Sequence, residues 1–137
     1  MTDDYTLTTA TPDIADYRRL REQAGLSAKS VEAAARGLPG TLHAVVVRHR
    51  GEAVGMGRVI GDGGLFYQVT DIAVQPAHQG RGLGKAIMES LMAQLRAAAL
   101  PGAYVSLIAD GEAHKLYAQY GFAPTTPKSI GMAQVLR

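Results

Sequence analysis

A chain of 137 residues, 47% hydrophobic and 19% charged, has the size and composition of one globular domain, residues 1–137. Its 14 Lys and Arg against 12 Asp and Glu leave a net charge of +2, too little to indicate a nucleic-acid partner. The absence of cysteine excludes disulfides and thiolate chemistry, and no run of about 18 apolar residues could cross a membrane. The polar start MTDDYTLTT does not resemble a secretory signal, so a cytoplasmic enzyme or binding domain is expected.

The first third of the chain predicts a short extended segment followed by two helices. The extended segment covers residues 5–9. Thr11 then predicts an N-cap with Pro12 at the first helical position, and an apolar stripe continues to about Ala24. A second helix is expected to begin at Ser27 and to end at the Gly- and Pro-rich residues 37–40.

The middle of the chain has the composition of a β-sheet. The run HAVVVRHRGEAVGMGRVI, residues 43–60, contains two β-rich stretches around residues 50–52 and predicts a hairpin. After a second turn at residues 62–64, the run LFYQVTDIAV, residues 65–74, is long enough for a central strand. Three antiparallel strands in succession are therefore expected.

The second half of the chain predicts a strand, helix and strand in succession. Leucine and isoleucine recur at four-residue spacing from Leu83 to Leu95, which predicts a helix that faces a core. YVSLI, residues 104–108, follows as a strand parallel to strand 65–74. A last helix capped by Asp110 is expected to reach Tyr120, and SIGMAQVL, residues 129–136, to form a terminal strand. The fold class is α/β with a mixed, mainly antiparallel sheet.

The stretch QGRGLGKA, residues 79–86, places three glycines where the long helix must begin, which indicates a backbone exposed for binding. Neither register fits the G-x-G-x-x-G spacing of dinucleotide sites, and a triphosphate loop would need a hydroxyl where Ala86 stands. Bare amides at a helix N-terminus, beside Arg81 and Lys85, predict a site for an anion such as a pyrophosphate. The alternative is a glycine turn that only lets helix and strand pack closely.

Two motifs resemble those of the GCN5-related N-acetyltransferase (GNAT) superfamily. Gln79, Gly82 and Gly84 reproduce the family's Q/R-x-x-G-x-G/A element directly after a β run ending in IAV. Downstream, DGEAHKLYAQYGF resembles the family's N-x-x-A-x-x-x-Y-x-x-x-G-F element, with Asp110 where the family often has Asn. The matching residues are Ala113, Tyr117, Gly121 and Phe122. The resemblance covers nearly all of the chain and implies a small single-domain member whose two parallel strands splay apart.

The resemblance also implies that the chain uses acetyl-coenzyme A as its co-substrate. The pyrophosphate would lie against the backbone amides of residues 80–85, and the pantetheine arm would pair with the edge of strand 72–74. The residues implied at the cofactor are Ile72, Ala73, Val74, Gln79, Gly80, Arg81, Gly82, Leu83, Gly84, Lys85, Asp110 and Tyr117.

Acetyl transfer to an amine requires a neutral nucleophile and a proton for the departing thiolate. An alkylamine with an ordinary pKa of about 10.4 is neutral in about one molecule in 2,500 at pH 7, so its deprotonation is the larger demand. The resemblance implies that Tyr117 is the general acid toward sulfur and that the backbone N–H of Ile72 polarises the acetyl carbonyl. Asp71 is the candidate base, since Gln68 cannot accept the proton; alternatively, Asp71 is a hydrogen-bonded structural acid at a strand bulge.

The leading hypothesis is an N-acetyltransferase that moves an acetyl group to a primary amine of a small molecule by direct attack in a ternary complex. Two alternatives stay open, a non-catalytic coenzyme A-binding regulatory module and an acetyltransferase of protein lysines or N-termini. The spacing of His43, His78 and His114 predicts no metal site. No membrane or nucleic-acid partner is expected, and a homodimer is expected only because dimers are common among relatives.

Overall fold

The computed structural model describes residues 4–137 and contains five strands and four α-helices in this part of the chain. The strands are β1 (Tyr5–Thr8), β2 (His43–His49), β3 (Glu52–Gly61), β4 (Phe66–Val74) and β5 (Tyr104–Ser106). The helices are α1 (Ile14–Gln23), α2 (Val31–Gly37), α3 (Leu83–Ala98) and α4 (His114–Ala118). Two 3₁₀ turns, Leu38–Gly40 and Pro76–His78, follow α2 and β4.

The strands form one sheet in chain order, β1-β2-β3-β4-β5. Each of the first three pairings is antiparallel, and β4 pairs with β5 in parallel. The predicted hairpin, central strand and parallel crossover are confirmed, as is the α/β class with a mixed, mainly antiparallel sheet.

Helices cover both faces of the sheet because successive strand residues point to opposite sides. In β2, Val45 and Val47 pack with the apolar stripe of α3 in one cluster of buried residues. Val46, between them, packs with Tyr17 and Leu20 of α1 in a second cluster. The core therefore has two layers, and β4 runs between them with residues in both.

The first two helices begin later than the sequence predicted. The N-cap of α1 is Asp13 rather than Thr11, because the Asp13 carboxylate accepts the N–H of Asp16 at 2.7 Å. The N-cap of α2 is Ser30 rather than Ser27, and its hydroxyl accepts the N–H of Ala33 at 3.0 Å. In both helices the side chain of the residue just before the first helical residue accepts the free N–H of the third helical residue. This hydrogen bond fixes where the helix starts.

The predictions for the last third need three corrections. The strand predicted at residues 104–108 ends at Ser106. Asp110 does not cap α4, because the helix begins at His114 and no side chain caps it. The backbone carbonyl of Asp110 accepts the N–H of Ala113 at 3.0 Å in the turn before the helix. Residues 129–136 are not a strand, because no strand of the described chain pairs with them, and their apolar side chains are exposed.

Candidate active site

The parallel ladder between β4 and β5 covers only the first part of β4. Its last pair is Gln68 opposite Ser106, although β4 continues to Val74. Residues 69–74 therefore have no partner in β5, and the two strands separate beyond this pair. A gap bordered by the unpaired edge of β4 therefore opens between these two strands.

Two cavities meet at this gap. The acceptor cavity, as we call the first, measures about 310 Å³ and is lined by Arg21, Leu26, Gln68, Val69, Thr70, Asp71, Ile72, Leu107, Ile108, Asp110, Ala113 and Tyr117. The donor cavity, about 380 Å³, is lined by Ala24, Ile72, Ala73, Val74, His78, Gln79, Gly80, Gly82, Leu83, Gly84, Ala113, Leu116 and Tyr117. Ile72, Ala113 and Tyr117 line both cavities, so one bound molecule can extend from one into the other.

Tyr117 lies at the junction of the two cavities. Its side chain is buried in the core cluster, yet its hydroxyl has no hydrogen-bond partner within residues 4–137. Burial, and secondly the negative charge of Asp110, raise the pKa of this phenol above its ordinary value of 10.0. Tyr117 is therefore protonated at neutral pH and can donate to a group bound at the junction.

The glycine loop presents its backbone amides without internal partners. Gly82 is the N-cap of α3 in a left-handed conformation, with φ at +80°, and no side chain caps the helix. Among the described residues, no protein oxygen accepts a hydrogen bond from the N–H groups of residues 80–85. The loop is held in place by Gln79, whose Nε2 donates to the Val74 carbonyl at 3.0 Å. Unsatisfied amides at a helix N-terminus are what an anionic ligand requires.

The glycines of this loop have two different roles. A Cβ at Gly80 or Gly82 would meet nothing within 4 Å, so close packing does not explain either glycine. A Cβ at Gly84 would lie 3.2 Å from Leu116 Cδ2, so this glycine lets α4 approach the start of α3. The packing alternative therefore applies to Gly84, whereas positive φ values of +76° and +80° account for Gly80 and Gly82, and both residues are exposed.

A bulge in β4 shapes the edge of the gap. Met56 pairs with Ala73 and Arg58 with Thr70, so the single residue Gly57 faces the two residues 71–72. Asp71 takes the left-handed conformation, with φ at +57°, which aspartate tolerates better than most residues. The extra residue changes which backbone groups of β4 lie along the two cavities.

The Asp71 carboxylate is satisfied by the protein itself. Arg21 Nη1 donates to Oδ1 at 2.5 Å, and the Tyr17 hydroxyl donates to Oδ2 at 3.0 Å. Arg58 Nε lies 3.5 Å from Oδ2, which is an ion-pair distance, although it makes no hydrogen bond there. With both oxygens engaged and the side chain 5% exposed, the geometry favours the structural role of Asp71 over the role of base.

The pKa of Tyr17 is also shifted by this charge cluster. Burial, followed by the neighbouring Asp71 carboxylate, raises the pKa of the Tyr17 phenol above 10.0. The Arg58 guanidinium lies 5.6 Å from the centre of the Tyr17 ring, a cation–π distance. Helix α1, β3 and β4 are thus joined beneath the acceptor cavity by one buried polar network.

The predicted histidines occupy different surroundings. His78 ends the 3₁₀ turn after β4 and borders the donor cavity, and its Nδ1 lies 2.6 Å from the Tyr5 hydroxyl. Burial, then the neighbouring His49 and Arg81, lower the pKa of His78 below 6.5. His114 is exposed at the start of α4, and His43 begins β2. Within residues 4–137, no group of three or more His, Asp or Glu could hold a metal ion, and none of the helices there could span a membrane.

Comparison with known proteins decides the family. A family model described as an acetyltransferase (GNAT) domain matches residues 40–124. The chain belongs to the GNAT acetyltransferase family. A crystal structure from meticillin-resistant Staphylococcus aureus, of a protein of unknown function named as a probable acetyltransferase, is 45% identical; the match covers 96% of this chain and 99% of that chain, with a TM-score of 0.92.

Other relatives agree with the GNAT assignment. A GNAT-family structure from Xanthomonas campestris pv. campestris is 30% identical and covers 95% of this chain and 94% of that chain, with a TM-score of 0.74. The chloroplastic serotonin N-acetyltransferase 2 of Oryza sativa subsp. japonica is 37% identical over 83 residues, which are 61% of this chain and 40% of that protein. The chain spans only part of the first three curated relatives, between 38% and 52% of their length.

Sequence reasoning missed part of this GNAT site. Arg21, which lines the acceptor cavity and binds Asp71, was not among the predicted residues. A signal was present, because Arg21 follows Tyr17 at four-residue spacing on the buried stripe of α1. Arg58 offered a similar signal, as a charge within the apolar run of β3. Because buried charges are usually paired, opposite charges on two neighbouring buried strands, here Arg58 and Asp71, are predicted to lie close together.

Proposed function

We propose that this GNAT protein is an acetyl-coenzyme A-dependent N-acetyltransferase acting on a primary amine of a small molecule, by direct attack in a ternary complex. The observation that carries the proposal is the meeting of two cavities at Tyr117 and Ile72, one of them bordered by unpaired helix amides. A cytoplasmic location is proposed with it.

The donor cavity fits the anionic part of coenzyme A. The free N–H groups of residues 80–85 and the positive end of the α3 dipole attract a diphosphate. Arg81 and Lys85 are exposed beside them, with no ion pair to another described residue. Residues 72–74, which line the same cavity and have no partner in β5, present a strand edge for the amide groups of the pantetheine arm.

The junction of the cavities is where this chain acts on the reacting groups. Bound acetyl-coenzyme A supplies an acetyl group activated as a thioester. The Tyr117 hydroxyl, free of internal partners and kept protonated by burial, donates a proton toward the thioester sulfur. The backbone of Ile72, at the bulge, supplies the N–H toward the acetyl oxygen.

The acceptor cavity suits a small amine. Its volume of about 310 Å³ is at the lower end of small-ligand pockets. Asp71 is engaged by Arg21 and Tyr17, which leaves Asp110 as the carboxylate of this cavity without an ion pair or side-chain hydrogen bond to the described chain. Asp110 is therefore assigned here to the acceptor side, where its charge attracts an ammonium and can take up its proton.

A panel of amines tests the proposed activity. Purified protein and acetyl-coenzyme A are mixed with alkyl monoamines, diamines and lysine peptides, and both acetylated product and released thiol are measured. The protein contributes no thiol background, since it has no cysteine. We expect amine-dependent thiol release with a small amine. Preference for peptides would favour protein acetylation, and cofactor binding without any turnover would favour a regulatory module.

Substitution Gly82→Asp tests the donor cavity. A carboxylate beside the amides of residues 80–85 should raise the Kd of coenzyme A about tenfold or more, because it repels the diphosphate. Gly82→Asn is the matched control, since it has the same shape and faces the same positive φ of +80° without the charge. Calorimetry measures both; equal affinities for the two variants would place the diphosphate elsewhere.

Substitution Asp110→Asn tests the acceptor side. Loss of the carboxylate should lower kcat/KM for the amine about tenfold at pH 7, as expected for one charge-assisted hydrogen bond. Because Asp110 raises the pKa of Tyr117, the basic limb of the rate–pH profile should also move to lower pH. Glu112→Gln is the control, as that nearby carboxylate is exposed and paired with Lys115 at 2.7 Å. If both kcat/KM and the rate–pH profile were unchanged, Asp110 would have no role in binding the amine.

A further inference from the structure

The buried charges of this chain do not balance. Within residues 4–137, three charged residues are buried: Arg21 is 8% exposed, Arg58 is 6% exposed and Asp71 is 8% exposed. Two guanidiniums therefore share one carboxylate, which leaves one positive charge in excess inside the protein. Because a buried charge without a partner is costly, this excess indicates a place for an anion.

Arg58 carries the excess charge, because the Asp71 carboxylate is engaged by other groups. Its two oxygens accept hydrogen bonds from Arg21 and from the Tyr17 hydroxyl. Arg58 Nε lies 3.5 Å from Asp71 Oδ2, and the Arg58 guanidinium donates no hydrogen bond to any of residues 4–137. The Tyr17 ring, with its centre 5.6 Å from Arg58 Cζ, stabilises the charge but accepts none of its N–H groups in this geometry. The N–H donors of a buried arginine are thus left for a ligand.

A cavity lies beside Arg58, between the sheet and the first two helices. It measures about 240 Å³, which is below the range of about 300–1,000 Å³ for pockets that hold metabolites. Two cations, Arg58 and Lys29, contribute to its lining, and none of the carboxylates within residues 4–137 does. We call this space the Arg58 cavity. Its size and charge suit a small anion.

Lys29 is available to the same ligand. Its side chain is exposed and forms no ion pair with another residue of the described chain. Its backbone is held in place, since the Lys29 carbonyl accepts a hydrogen bond from Arg18 Nε at 2.8 Å. The acidic residue at the start of α2, Glu32, pairs instead with Arg36 at 3.6 Å. Two positive side chains therefore border the cavity without a carboxylate to neutralise them.

We propose that the Arg58 cavity binds a small oxyanion, a carboxylate or a phosphate, between the guanidinium of Arg58 and the ammonium of Lys29. A planar guanidinium presents parallel N–H donors that match two oxygens of such an ion, and a lysine adds a point charge. The bound ion offsets the excess positive charge of the buried cluster. The Arg58 cavity shares no lining residue with the donor or the acceptor cavity, so this site is separate from both.

Thermal unfolding at fixed ionic strength tests the site, and it needs neither acetyl donor nor acceptor. Sodium formate, acetate or phosphate replaces sodium chloride at pH 7, and Tm is measured. At ten times its Kd, an ion that binds only the folded chain should raise Tm by about 5 °C. A rise with formate and acetate identifies a carboxylate as the ligand, whereas a rise with phosphate alone identifies a phosphate. Calorimetry with the effective ion should show saturable binding to a single class of site.

Substitution Arg58→Met tests the role of the guanidinium. Asp71 keeps Arg21 and Tyr17 as partners, so this variant should fold, with a Tm in chloride no lower than that of the wild type. Its Tm should no longer rise with the oxyanion. Arg36→Gln is the matched control, because it removes one positive charge from a side chain that is 84% exposed on the neighbouring α2. That variant should keep the rise in Tm.

Substitution Lys29→Gln tests the same site without a change in the core. Lys29 is exposed, so the variant should unfold at the wild-type temperature in chloride. Its Kd for the oxyanion should be about threefold or more above that of the wild type, because one of the two charges at the ligand is lost. Circular dichroism confirms that each variant is folded.

Two results would overturn the proposal. The first is a wild-type chain whose Tm does not rise with any of the three ions and that shows no calorimetric binding in the millimolar range. The second is a rise in Tm that folded Arg58→Met retains or, if that variant does not fold, an affinity that Lys29→Gln retains in full. Such a rise would be the general effect that excluded salts such as phosphate have on folded proteins.

Discussion

Replacement Tyr117→Phe is expected to lower kcat for acetyl transfer about 100-fold or more at pH 7, the usual cost of removing a general acid. The Kd of acetyl-coenzyme A should change little, because the substitution removes one hydroxyl and hardly any contact area. The hydroxyl makes no hydrogen bond within the described chain, so its loss leaves no buried partner unsatisfied and the fold should be unaffected. Thiol release and calorimetry measure the two effects separately.

The control for this experiment lies three residues further along the chain. Tyr120 donates to the Lys85 carbonyl at 3.0 Å and lines neither cavity, so Tyr120→Phe should keep most of the turnover. In the wild type, burial holds the pKa of Tyr117 above 10.0, and the protonated phenol is the active form. Activity should therefore persist to about pH 10 and fall only above it. Full turnover in Tyr117→Phe would reject the acid role.

The second large effect is on stability. Replacement Asp71→Ala should reduce the free energy of unfolding by about 3–5 kcal/mol, because the buried guanidinium of Arg21 loses its counter-charge and keeps only its hydrogen bonds to Ser27. Arg58, 3.5 Å from the same carboxylate, would lose its counter-charge as well. Alanine also tolerates the left-handed backbone at this position less well than aspartate. Such a loss is a large fraction of the stability of a small domain.

Asp71→Asn separates the structural role of this residue from a catalytic one. Asparagine accepts the left-handed conformation and keeps part of the hydrogen bonding, so a smaller loss of about 1–3 kcal/mol is expected. If the residue is structural, folded Asp71→Asn should turn over at near the wild-type rate below its melting temperature. A variant that is as stable as the wild type but nearly inactive would instead identify Asp71 as the base. Chemical denaturation and initial rates provide both measurements.

Much of the fold could be predicted because local signals agreed with the tertiary structure. The hairpin around residues 50–52, the β4 strand and the α3 stripe each combine a clear periodicity with glycine or proline at the ends. Residues 129–136 carry a comparable alternating pattern, yet they form no strand in the single chain. A strand requires a partner edge, and no sequence pattern shows whether one is free.

The site could be predicted unevenly. The glycine loop was recognisable because three glycines in a short stretch indicate an exposed backbone, and the structure leaves the amides of residues 80–85 without internal partners. The partners of Asp71 could not be recognised from the sequence, since Arg21 lies fifty residues away and contacts Asp71 only because α1 packs on the sheet. The sequence could place an acid inside an apolar strand, but the choice between base and structural group needed the three-dimensional contacts.

The glycine loop implies an unequal tolerance to evolutionary change at the two halves of the pocket. In the donor cavity, the expected ligands of the diphosphate are peptide nitrogens, so substitution of side chains such as Arg81 can leave these hydrogen bonds intact. Under the proposed function, selectivity for the acceptor would depend instead on side chains that line the acceptor cavity, such as those of Gln68, Thr70 and Ile108. Descendants of this scaffold could therefore exchange one nucleophile for another by a few substitutions while retaining the same acyl carrier.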